Sequence, residues 1–134
     1  MKSLEKPNRS RHILEIHRYL NSTLAKMDSG STNHQNKLLD SSDRMRVHLI
    51  ITGKVQGVYF RQNMKIIAGR NNVNGWVRNL AGGTVEAVLE GNKGDVEKVI
   101  SWSSKGPEDA NVTNVTVENS QYLGEFSSFE ITYD

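Results

Sequence analysis

The hydrophobic period of this chain switches from two residues to between three and four, and the switch is made twice. In "RVHLIITG", Val47, Leu49 and Ile51 alternate with His48, Ile50 and Thr52, as in a half-buried strand. From Phe60 the apolar residues Phe60, Met64, Ile67 and Ala68 recur at helical spacing as far as about Asn71. Asn72 then suits the left-handed conformation that ends a helix. "GWVRNL" and "TVEAVLEG" read as two short strands joined by hairpin chemistry in "AGG". Val85, Ala87 and Leu89 share one face of the second, while Glu86, Val88 and Glu90 share the other. Val96, Val99 and Ile100 with Trp102 mark a second helix, with Asp95 in its first turn and Gly106-Pro107 as its stop. "VTNVTVEN" reads as another strand, and "FEITY" as a last one alternating Phe129, Ile131 and Tyr133. The order β-α-β-β-α-β plus a terminal strand predicts an α+β ferredoxin-like sandwich, an antiparallel sheet with two helices on one face.

Residues 1–44 lie outside that rhythm. Ile13, Ile16, Leu20, Leu24 and Met27 follow one helical face, which predicts an amphipathic helix over 11–27. The Ser/Asn/Asp-rich stretch 28–43 reads as a flexible linker. The expected organisation is therefore an N-terminal extension, 1–44, and one domain, 45–134. Met45, directly before the first strand, raises the question of where the functional protein starts.

Charge follows the same division. Residues 1–44 hold 8 Lys/Arg and 5 Asp/Glu, whereas residues 45–134 hold 9 and 10. The domain thus lacks the positive excess of a nucleic-acid binder, so no nucleic-acid partner is expected. The chain has no cysteine, which excludes disulfides and thiolate metal sites. His12, His17, His34 and His48 are scattered, three of them in the extension, so no metal or other cofactor is expected. There is no secretory h-region and no apolar run long enough to span a bilayer. A cytoplasmic protein without membrane association is the resulting expectation, and a monomer is expected.

Two glycines punctuate the first strand-to-helix connection, "TGKVQGVYFR". Gly53 and Gly57 permit backbone angles that other residues avoid. A loop held this way can turn successive N–H groups inward and bind an anion, and the following helix would add its positive end. Arg61 opens that helix with a planar fork of donors matched to phosphate oxygens. The loop is not a Walker A sequence, which places Lys-Ser/Thr after its last glycine. By its own residues the segment reads either as an anion cradle or as a simple turn.

Taken with "GWVRNLAGGTVEAVLEG", this stretch resembles the acylphosphatase family. Residues 53–61 match the family's Gly-x-Val-Gln-Gly-Val-x-Phe-Arg motif at every fixed position. Gly75, Trp76, Val77, Arg78, Asn79, Gly83, Val85 and Gly91 match its second motif in order and spacing. The resemblance covers about residues 45–134 and leaves the extension unexplained. It implies a ferredoxin-like fold and hydrolysis of the carboxyl-phosphate bond of small acyl phosphates, without metal or covalent intermediate. It also implies that Arg61 binds phosphate and that Asn79 positions the attacking water. The backbone of Lys54, Val55, Gln56, Gly57, Val58 and Tyr59 is then the substrate phosphate-binding loop.

The chemistry agrees with the composition. An acyl phosphate leaves as a weakly basic carboxylate, so positioning and charge stabilisation suffice without a general acid. The remaining polar and aromatic residues have structural readings. Gln56 orders the loop through its amide. Tyr59 and Phe60 pack at the rim and core, and Trp76 and Trp102 in the core. His48 is a sheet-face residue, and Arg78 lies on the solvent side. Glu86 and Glu90 form a solvated stripe. Two other functions fit the topology. A non-catalytic module would be favoured by loss of Arg61 or Asn79, and both are present. An RNA-binding sheet would need stacking aromatics where "TVEAVLEG" offers Glu and Val. A related domain also opens the large hydrogenase-maturation carbamoyl-transfer proteins, which carry zinc-binding cysteines.

Overall fold

The computed structural model describes residues 43–133. The expected helix over 11–27 and the linker after it lie outside the described residues. Seven elements follow in order: β1 (Arg44–Lys54), α1 (Phe60–Arg70), β2 (Asn74–Asn79), β3 (Val85–Asn92), α2 (Lys93–Ser103), β4 (Asn111–Ser120) and β5 (Phe129–Ile131).

The sheet order is β4-β1-β3-β2-β5. Neighbouring strands among β4, β1, β3 and β2 pair antiparallel, with Val47 opposite Leu89, Leu49 opposite Ala87 and Val77 opposite Ala87. These period-two residues are fully buried. Phe60, Met64 and Ala68 of α1 and Val96, Val99 and Ile100 of α2 join them in one core. This is the ferredoxin-like α+β arrangement, and burial of that single apolar face is the main force holding it together. The helix ends also fall where the sequence puts them. Asn72 takes a φ of 57°, and Gly106 after α2 a φ of 74°.

The structure corrects three expectations. The sheet is mixed, because β5 runs parallel to β2, with Gly75 opposite Phe129 and Val77 opposite Ile131. The alternation of "FEITY" stops after Ile131, and Tyr133 is 79% exposed. Trp76 is not a core residue. It lies on the face away from the helices, with the Arg78 guanidinium 5.3 Å from its ring centroid. Trp102 does pack against the core, 5.1 Å from Phe60.

A further correction concerns the glutamates of β3. Glu90 is only 2% exposed. Its carboxylate accepts from Arg46 at 2.9 Å and from the backbone N–H groups of Leu123, Gly124 and Glu125. Burial pushes this carboxyl up, but the Arg46 and backbone donors outweigh it and hold it below the usual carboxylate range. Glu86 is likewise engaged, at 2.7 Å from both His48 Nε2 and Arg78 Nε. Burial raises the Glu86 carboxyl also, and the His48 and Arg78 hydrogen bonds again prevail to lower it. The stripe is thus a row of ion pairs under cover, with Phe126 and Tyr122 lying over Arg46 and Arg44.

Candidate active site

Sheet register brings three pieces of sequence to one end of the domain. Ile51 is opposite Val85, and Val85 is opposite Asn79, so the end of β1, the start of β3 and the end of β2 form one row. The loop 55–59 leaves β1 at this row and enters α1.

A register shift between Thr52 and Gly53 marks a bulge in β1, which stays paired with β4 through Gly53 and Lys54 before the loop departs. Gly53 has a φ of 123°, and a Cβ there would run into the Asn111 carbonyl of β4, so only glycine fits. Beyond it, Val55 and Val58 point into the core while Gly57 and Tyr59 are exposed. Two buried valines therefore anchor a loop whose remaining residues stay at the surface. Gly57 has a φ of 75° and Tyr59 a φ of 63°. The left-handed Tyr59 makes no side-chain cap on α1, and the first turn of α1 holds no acidic residue. The first helical bond runs from the Asn63 N–H to the Tyr59 carbonyl. Among the described residues, no backbone hydrogen bond engages the N–H groups of residues 55–59. These amides and the helix N-terminus leave donors and positive potential unspent at one spot.

Arg61 stands in the first turn of α1, half-buried, its Cζ 5.4 Å from the Tyr133 ring centroid. It forms no ion pair among the described residues. Arg78 is different, since Glu86 and Trp76 hold it on the opposite face of the sheet. Lys54 is exposed at the end of β1.

Asn79 closes β2. Its Oδ1 is buried and accepts no hydrogen bond from any described residue. A buried acceptor without a partner costs about 1–3 kcal/mol, and such an atom in a folded domain marks a place where something else donates. The next residue, Leu80, donates its N–H to the Thr84 carbonyl at 2.9 Å and closes the hairpin. Gln56 reaches across from the loop, and its Nε2 donates to the Leu80 carbonyl at 2.8 Å and the Thr84 carbonyl at 2.9 Å. The Gln56 amide therefore bridges the loop to the hairpin.

The structure thus brings loop 54–59, Arg61 and Asn79 to one end of the sheet. Tyr133 was missed as a neighbour of Arg61, because nothing in the local pattern of "FEITY" marks where its ring goes. No group of His, Asp or Glu among the described residues is arranged to hold a metal ion. No helix among them is long and apolar enough to cross a membrane.

Fold and site define a small ferredoxin-like α+β domain with a glycine-turned loop, a helix N-terminus and an arginine that forms no ion pair among the described residues, all at one end of its sheet. The acylphosphatase family model matches residues 47–131. An acylphosphatase of Pyrobaculum arsenaticum is 58% identical over 87 residues, which cover 64% of this chain and 92% of that protein. The solved structure of an acylphosphatase from Coxiella burnetii superposes with a TM-score of 0.65 at 33% identity, covering 69% of this chain and 96% of the other. A full-length HypF structure in the phosphate- and nucleotide-bound form matches with a TM-score of 0.61 at 27% identity, but the chain covers only 12% of it. The chain belongs to the acylphosphatase family.

Proposed function

We propose that this protein hydrolyses small acyl phosphates at the carboxyl-phosphate bond, releasing a carboxylate and inorganic phosphate. The amides of loop 54–59, the N-terminus of α1 and the Arg61 guanidinium hold the phosphoryl oxygens and meet the charge that builds on them. Asn79 Oδ1 accepts a hydrogen bond from the attacking water and aims its oxygen at phosphorus. As the water–phosphorus bond forms, the bond from phosphorus to the carboxylate oxygen breaks. The water's proton passes to a phosphate oxygen of the substrate. The leaving carboxylate is a weak base, so the step needs neither a general acid nor a metal, and no covalent intermediate is formed.

The observation that carries this reading is the buried Asn79 Oδ1, without a hydrogen-bond partner among the described residues, at the hairpin that Gln56 bonds to the loop. A water held there has an acceptor to orient it. Residues 45–134 are the catalytic domain, and residues 1–44 are an extension outside the chemistry. The enzyme works as a cytoplasmic monomer, without nucleic-acid or membrane partners. The test is phosphate release from a simple aryl-acyl phosphate by the purified protein with chelator present. Turnover that withstands the chelator supports the reading. The absence of turnover above background would make the chain a non-catalytic member of its family.

A further inference from the structure

We infer that Gln56 is a positioning residue that sets the distance between the phosphate-binding loop and the water held by Asn79. The inference rests on the hydrolytic reading above and adds a residue to it. Its basis is geometric. An acceptor oxygen cannot serve two carbonyls, so the contacts at 2.8 and 2.9 Å fix which end of the Gln56 amide faces the hairpin. Each of the two N–H bonds of Nε2 has its own carbonyl. Those carbonyls belong to Leu80 and Thr84, the pair whose own hydrogen bond closes the hairpin. Leu80 follows Asn79 directly in the chain. On its other side, Gln56 lies between Val55 and Gly57, in the centre of the loop.

The amide is therefore a strut between two pieces of backbone that share no strand pairing with each other. β1 pairs with β3 and β4, and β2 pairs with β3 and β5, so the loop and the end of β2 are joined only indirectly, through β3. An in-line attack needs its water and its phosphorus placed to a fraction of an ångström. Misplacement by about 1 Å costs on the order of 10²-fold. Gln56 supplies the direct connection.

The consequence is a specific form of epistasis. Gln56 acts on the chemical step through Asn79, so its value should disappear once Asn79 no longer holds water. In the full chain, Gln56→Met keeps the side-chain length and removes both donors. Gln56→Asn keeps the amide but falls one methylene short, and carries the same test if the Met variant fails to fold. Either variant should lower kcat by roughly 10-fold or more, with the inhibition constant for inorganic phosphate within about 3-fold of the parent value. In an Asn79→Ala background the same change should cost less than about 2-fold. Full additivity of the two losses would overturn the inference, as would a fall in phosphate affinity that matches the fall in kcat. Failure of the hydrolytic reading looks different, since the parent chain itself would then release no phosphate.

Discussion

The guanidinium of Arg61 lies against the exposed ring of Tyr133, 5.4 Å from its centroid, and no carboxylate among the described residues competes for it. An arginine stacked in this way keeps its charge available and loses some of its freedom to swing. Tyr133→Phe should leave activity unchanged, because the hydroxyl takes no part in the contact. Tyr133→Ala should weaken phosphate inhibition by about 2–5-fold, the equivalent of an exposed cation–π contact. Its thermal unfolding should be unaltered, since the ring covers no core. Equal phosphate affinity in the Ala and Phe variants would show that the stacking is incidental.

Arg61 and Asn79 should separate in mutant kinetics. Asn79→Ala should lower kcat by at least ~10²-fold and leave phosphate affinity nearly unchanged, because in the proposed mechanism Asn79 contacts the water rather than the phosphoryl group. Arg61→Ala should abolish detectable turnover and weaken phosphate binding as well. Arg61→Lys should not restore it, since an ammonium lacks the planar fork. Phosphate titrations of the folded variants check the division of labour. Equal losses of phosphate affinity would remove the water-positioning role from Asn79.

Glu90 should tie stability to pH. Its carboxyl is lowered on folding from an ordinary value of 4.5. The stabilisation it brings is therefore present above 4.5 and lost as pH falls through its lower folded value. Glu90→Gln keeps the shape but cannot accept from Arg46 and three backbone amides as an anion does. The variant should lose about 1–3 kcal/mol at pH 7. The difference from the parent should shrink as pH drops below 4.5, where the parent carboxyl takes up its proton. Denaturant unfolding at pH 7 and pH 3 measures both quantities. An unchanged gap at pH 3 would show that charge is not what the site uses.

A chain beginning at Met45 should fold cooperatively and keep turnover within a few-fold. Its strand would lack Arg44, whose Nη1 bonds the Tyr122 hydroxyl at 2.9 Å on an exposed edge. That bond and the stacking of Arg44 on the Tyr122 ring are together worth about 1–3 kcal/mol. A larger loss of stability would indicate that the apolar face of residues 13–27 docks on the domain.

The sequence disclosed most of the architecture because the elements around the core obey simple periods. Val47, Leu49 and Ile51 had to share a face, and Phe60, Met64 and Ala68 had to cover it. The layout of the candidate site was legible as well, since glycines that turn a loop leave a mark in composition. Glu90 was not legible. A glutamate four residues from Glu86 on the same face looks solvated, and what buries it is the irregular segment 122–126, which carries no period to read. Tyr133 escaped for a related reason. The register of a three-residue parallel strand depends on the long-range bond from the Thr132 N–H to the Val77 carbonyl, and local sequence does not encode it. Trp76 departs from its expected burial because aromatic character does not by itself bury a residue, and alternation with the buried Val77 sets it on the other face of the sheet.

The parallel strand β5 has a consequence for how this protein meets other copies of itself. Without it, β2 would end the sheet with free backbone donors and acceptors beside Trp76 and Val77, a template for strand addition by another chain. Three residues occupy that edge. They are secured at both ends by the Gly75 N–H to the Ser128 carbonyl and the Thr132 N–H to the Val77 carbonyl, each at 2.9 Å. The residue after this strap is the one that lies on Arg61. Cover of the sheet edge and the ring that stacks on Arg61 thus belong to the same short tail, and on the proposed reading a lesion that peels it away should leave the protein both self-associating and poorer in phosphate binding.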